Sequence, residues 1–165
     1  VFLTQNTVVE GYENFFLVLS SATNATLSNT VGTIGVVDND TAATIPSLFV
    51  RDVVVDEKAG TASFVVMLGG PSGQASNGDV IVDYATVNGT ATAGSDYTAT
   101  NGTLTFAAGE TVKTVSLGIT DDQLNESDES VAIALSAPVN AVLGAQSSVS
   151  ITINDKYFAF DVYGG

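Results

Sequence analysis

The 165 residues carry eighteen Asp and Glu against four Lys and Arg, a formal charge of −14 that repels nucleic acid and anionic lipid surfaces. Cys and His are both absent, which excludes zinc sites, haem ligation, Cys nucleophiles and Ser-His-Asp triads, and removes any disulfide framework. Hydrophobic residues reach 45% and charged residues only 13%, so a core is available, and polarity drawn from Thr, Ser, Asn and Gly favours strands and turns over helices.

In chain order, Val1-Phe2-Leu3 reads as part of a strand with no Met or basic leader before it, the expectation for a piece of a longer protein. Glu13 to Leu19 and Val31 to Val37 are two further strand-like runs, closing on Asp38-Asn39-Asp40. Phe16, Val18, Ile34 and Val36 are expected to share an apolar face, which a three-stranded remnant cannot cover by itself. Thr41 to Ser47, with Pro46, reads as a linker.

From about Leu48 to Asp155, seven short alternating segments follow at close spacing, and no apolar run approaches the roughly 20 residues of a membrane-spanning helix. Ala62-Phe64-Val66-Leu68, Val115-Leu117-Ile119, Val131-Ile133-Leu135 and Val149-Ile151-Ile153 each offer one face to a core, as in two antiparallel sheets packed face to face. Asn77-Gly78, Asn88-Gly89, Asn101-Gly102 and Ala108-Gly109 read as turns between strands. The tail Tyr157 to Val162 repeats the pattern of Leu48 to Val53 and is expected to be the first strand of a following or neighbouring repeat. The expected organisation is all-β: half a unit over 1–40, a linker over 41–47, a complete unit over 48–155, and a starting strand within 156–165.

The acids are not spread evenly. Asp121, Asp122, Glu126, Asp128 and Glu129 place five carboxylates within nine residues with no Lys or Arg among them, and such a group is comfortable only around a shared cation. Thr120 to Glu129 also lines up with Thr4 to Glu13, an internal repeat. If strands alternate in direction, Glu57, Asp96, the 121–129 group and Asp155 all arrive at one end of the sandwich. Asp128, Asp52, Asp79 and Asp83 are expected to be ordinary solvated acids, and Gly94 and Tyr97 to serve turn geometry and packing.

The run Val82-Asp83-Tyr84-Ala85-Thr86-Val87-Asn88-Gly89-Thr90-Ala91-Thr92-Ala93-Gly94-Ser95-Asp96-Tyr97, followed by Gly102-Thr103-Leu104-Thr105-Phe106, Gly109-Glu110, Asp121-Asp122, Glu126-x-x-Glu129 and Asp155, resembles a Calx-beta domain over 48–155, and residues 1–40 resemble the C-terminal half of another. The resemblance implies an immunoglobulin-like antiparallel sandwich that binds calcium at one tip through Glu57, Asp96, Asp121, Asp122, Glu126, Glu129 and Asp155. In the partial copy it implies Glu10, Glu13, Asp38 and Asp40, with Gln5 and Asn6 replacing the paired Asp and weakening the site. The family often closes with Asp-x-Asp, whereas here Asp155-Lys156-Tyr157 lacks the second acid.

These readings lead to a calcium-binding structural or adhesion module of a secreted or cell-surface repeat protein, with neighbouring repeats or identical subunits as partners. The same tip would equally serve adhesion to a surface carbohydrate or protein ligand. The open half-unit raises a second possibility, a self-assembling fibre subunit completed by its neighbours. A glycoside hydrolase using paired carboxylates is the enzyme alternative, disfavoured because the chain has no Trp for a sugar platform. The expectation is a protein that is not an enzyme.

Overall fold

The computed structural model describes residues 3–4, 6–8, 13–27, 30–36, 42–43, 45–69, 75–122, 124 and 126–155. Its elements, in chain order, are β1 (Glu13–Val18), β2 (Val31–Val36), β3 (Ala42–Ala43), β4 (Ser47–Val50), β5 (Val53–Asp56), a 3₁₀ turn η1 (Glu57–Ala59), β6 (Thr61–Leu68), β7 (Ala75–Ser76), β8 (Val80–Asn88), β9 (Asn101–Phe106), β10 (Val112–Gly118), β11 (Glu129–Val139), β12 (Val142–Leu143) and β13 (Ser148–Asn154). The expected strand at Val1 to Leu3 and the tail 156–165 fall wholly or mainly outside the described residues.

Two sheets make the sandwich, one ordered β10-β6-β4-β12 and the other β5-β13-β11-β8-β9. Because successive side chains on a strand point to opposite faces, the alternation in the sequence becomes the core. Phe64 and Val66 of β6, Leu117 of β10, Val80 and Val82 of β8, Val131 and Ile133 of β11, and Ile151 of β13 are all buried. Phe64 meets the ring of Tyr84 edge-on, with centroids 6.1 Å apart, and fills the space between the sheets.

Of the seven strands expected, the first divides between the sheets. β4 pairs with β6, then Arg51-Asp52 carries the chain across to β5, which runs parallel to β13. The Asp52 carboxylate is exposed, as expected, and also fastens this crossing by accepting from the Ser150 N–H at 2.9 Å. Asp83 likewise accepts from the Thr103 hydroxyl at 2.6 Å. β12 adds a parallel pairing to β4, giving both sheets mixed edges.

The turn expectations fare unevenly. Gly109 has φ of 84° ahead of β10, as a tight turn requires. Asn101-Gly102, by contrast, lies inside β9, where Gly102 faces the Tyr84 ring so closely that a Cβ would touch Tyr84 Cε1 at 3.0 Å. That glycine lets the ring lie close over the strand, and the dipeptide is no turn.

β1 and β2 form a separate antiparallel hairpin whose register reproduces that of β11 and β13. Glu13 faces Val36 as Glu129 faces Ile153, Phe15 faces Ile34 as Val131 faces Ile151, and Val18 faces Val31 as Ala134 faces Ser148. This register corrects the expected apolar face. Ile34 and Val36 share a face with Phe15 and Leu17, while Phe16 and Val18 lie on the other. Where Ile133 and Ile151 are buried, Leu17 is 50% exposed and Ile34 39% exposed. Ala42–Ala43, within the expected linker, pairs parallel with β7.

Candidate metal centre

Three connections and the end of β13 meet at one end of the sandwich. Antiparallel pairing puts the start of β6 beside the end of β10, the end of β8 beside the start of β11, and the start of β11 beside the end of β13. The end of β5 lies beside the end of β13, where Asp56 pairs with Asn154. Acids standing just beyond these strand ends are therefore neighbours in space, however distant in sequence.

Glu57 enters on η1. The Asp56 side chain caps that turn by accepting from the Lys58 N–H at 3.0 Å, and Gly60 closes it in the left-handed conformation. Glu57 is consequently held inward, only 7% exposed, and its Oε1 takes the Asp122 N–H at 3.4 Å. Asp155, 8% exposed beyond β13, accepts from the Glu126 N–H. Asp121 and Asp122 follow β10 on the surface, and Asp122 accepts from the Leu124 N–H at 2.9 Å.

Asp96 reaches the tip on the connection between β8 and β9. Its Oδ2 accepts from the Thr92 N–H at 2.6 Å, and its carbonyl accepts from the Thr120 N–H at 2.9 Å. Carboxylate oxygens of Asp96, Glu126 and Glu129 come within 4.8 Å of one another. Asp128 is exposed and stands apart from this group.

Electrostatics mark the same place. Burial, followed by the charges of Asp155, Asp122 and Asp121, raises the Glu57 carboxyl above its ordinary value, although the Asp122 N–H pulls it the other way. Glu129 is raised by burial, then by the Asp96 charge and a shared hydrogen bond with Asp96, then by Glu126 and Glu57. Glu126 is raised by desolvation and by Asp122, Asp96 and Asp155. Carboxylates brought together at such a cost suit a hard cation, and a donor set made wholly of oxygen fits calcium, which accepts six to eight oxygens in flexible geometry.

In the partial copy, Glu13 opens β1 in the place that Glu129 holds in β11, and Asn6 accepts from the Val8 N–H at 2.6 Å. Glu10, Asp38 and Asp40 lie outside the described residues, as does Gln5.

A family model described as the Calx-beta domain matches residues 1–45 and 38–157. The chain belongs to the Calx-beta family. Sodium/calcium exchanger 1 of Felis catus is 36% identical over 117 residues, covering 60% of this chain and 12% of the exchanger. The same exchanger of Cavia porcellus is 44% identical over 80 residues, covering 48% and 8%. The chain thus spans 12% or less of the length of these relatives. Among solved structures, the apo-form Calx CBD1 domain superposes with a TM-score of 0.62 at 25% identity, covering 68% of this chain and 99% of that one. The calcium binding domain CBD12 of CALX1.1 gives 0.60 at 25% identity, covering 66% and 45%. The chain therefore carries the fold of the Calx-beta calcium-binding domains, and these are binding modules rather than enzymes.

Some contributors to this Calx-beta tip escape a reading of residue types. Asn88, assigned to a turn by its Asn-Gly pair, ends β8, and its Oδ1 accepts from both the Tyr97 hydroxyl and the Ala93 N–H, the latter at 3.2 Å. Thr90 stands in the connection, where its Oγ1 accepts from the Ser130 N–H at 2.8 Å while the Ala91 N–H bonds Ser130 O at 3.0 Å. A Cβ at Gly89 would collide with the Ser130 carbonyl, so glycine is needed for that approach. The signal available beforehand was proximity in sequence to Asp96, which says nothing of direction. Tyr97 is 1% exposed and Gly94 has φ of 94°, in keeping with packing and turn roles.

Proposed function

We propose that the acidic tip holds calcium through Glu57, Asp96, Asp121, Asp122, Glu126, Glu129 and Asp155, and that the chain is a structural or adhesion module of a secreted or cell-surface repeat protein. The observation that carries the calcium reading is the meeting of Asp96, Glu126 and Glu129 within 4.8 Å, beside the buried Glu57 and Asp155. These acids come from three separate connections and the end of β13, so an ion shared among them ties both sheets together at their tip. The repeat reading is supported by the common register of β1–β2 and β11–β13, under which residues 1–40 are the C-terminal half of a second unit. The exposed Leu17 and Ile34 then await the strands of their own unit or of a neighbouring copy.

Likeness to sodium/calcium exchangers favours a second reading, a calcium-responsive module of a transport protein. Affinity separates the two. A dissociation constant of about 10⁻⁴–10⁻³ M fits an extracellular stiffener, and one of about 10⁻⁷–10⁻⁵ M fits a sensor. Calorimetric titration of the chain and of Glu129→Gln provides the test. Heat of binding that the substitution abolishes or weakens at least tenfold supports the site, whereas equal binding by both chains removes it.

A further inference from the structure

We propose that Asn88 is a positioning residue of the calcium site, acting through Tyr97 to hold the connection that presents Asp96. The inference rests on the calcium reading above and extends it to groups that need not touch the ion.

The connection from β8 to Tyr97 is fastened at three points. At its start, Gly89 lets the backbone lie against Ser130, where Thr90 Oγ1 takes the Ser130 N–H and Ser130 O takes the Ala91 N–H. At its end, Tyr97 is buried and pairs with Ile119 in an isolated bridge. Between them, one atom, Asn88 Oδ1, receives the Tyr97 hydroxyl and the Ala93 N–H, joining the two ends of the connection across itself. The Asp96 carboxylate lies inside this closed arm. Its Oδ2 is occupied by the Thr92 N–H, and its backbone N–H bonds Thr92 O at 3.1 Å.

An acceptor is required at Asn88, because both of its partners are donors. Loss of that acceptor leaves the buried Tyr97 hydroxyl unpaired and frees Ala93, so the arm relaxes and Asp96 is no longer held toward Glu129. Groups that orient a metal ligand from behind typically influence metal affinity about 10–100-fold.

The test uses the full chain and five variants: Asn88→Ala, Asn88→Asp, which keeps the acceptor oxygen, Tyr97→Phe, Asp96→Asn, and Asn88→Ala combined with Asp96→Asn. Calcium affinity is read by calorimetry, and exchange of the Thr92 and Ala93 amide hydrogens is read by NMR in EDTA. Asn88→Ala should weaken calcium binding by about tenfold and speed both amides by a similar factor, with Asn88→Asp close to wild type. Tyr97→Phe should lose affinity in the same direction, and Asn88→Ala should change little once Asp96 is Asn. Unchanged calcium affinity in Asn88→Ala, equal loss in Asn88→Asp, or an equal further loss in the Asp96→Asn background would overturn the proposal. If wild type binds no calcium while Asn88→Ala still frees the two amides, the calcium reading and the metal-site role both fall. The tether alone then survives as an element of the fold.

Discussion

The three carboxyls Glu57, Glu126 and Glu129 make the metal-free tip a pH-sensitive place, and the sign follows from their raised values. A carboxyl whose folded-state value lies above its unfolded one favours the fold below the unfolded value, and that contribution is lost as pH rises through the folded one. Acidifying from neutral pH toward the ordinary carboxylate range should therefore raise the melting temperature in EDTA. The Glu110–Lys113 pair at 2.7 Å acts in the opposite sense, but its lowered carboxyl titrates below this window. With calcium present the ordering reverses, since the ion requires ionised ligands and its stabilisation shrinks on acidification. Melts across this range with and without calcium check both signs, and a metal-free chain that loses stability on this mild acidification would contradict the assignment. At the same scale, Gly89→Ala should cost about 1–3 kcal/mol in chemical denaturation, because its Cβ meets the Ser130 carbonyl. The acids were legible in the sequence because charge density with no base among them has few explanations. Asn88 was not, since an Asn-Gly pair signals a turn far more often than a tether, and only the position of Tyr97 decides the matter.

Among elements, legibility follows alternation. β10 sets Val115 and Leu117 against Thr114, Ser116 and Gly118, and β6 opens with Ala62 and Phe64 against Thr61 and Ser63, so their buried sets could be read directly. Phe15-Phe16-Leu17-Val18 in β1 is apolar on both faces, and a strand without alternation does not declare which face is inward. Pairing settles it, through Phe15 opposite Ile34. The division of the first strand into β4 and β5 was equally silent, because Arg51-Asp52 carries no turn signal and the crossing depends on Ser150, almost a hundred residues away. The two hairpins of common register should differ sharply in stability. β11 and β13 have neighbours on both sides in a five-stranded sheet, whereas among the described residues β1 and β2 pair only with each other. Amide exchange should be faster by at least about a hundredfold in β1–β2 than in β11–β13. Equal protection would mean that the first hairpin is covered, in this chain or in an assembly.

For the whole molecule, a formal charge of −14 and an acidic tip built from three connections and the end of β13 make the sandwich a fold under electrostatic tension, which a divalent cation at the tip would relieve. Calcium that binds only the folded chain stabilises it by about 2.7 kcal/mol at 100 times its dissociation constant. For a domain of this size that corresponds to roughly 10 °C in melting temperature. The most direct measurement is a thermal melt of the purified chain in EDTA and in saturating calcium, with magnesium at the same concentration as the control for ionic screening. A rise of about 10 °C or more in calcium, absent in magnesium and abolished by Glu129→Gln, is the predicted result. Identical melting in EDTA and calcium would contradict the central claim and leave the acids of the tip as surface charge.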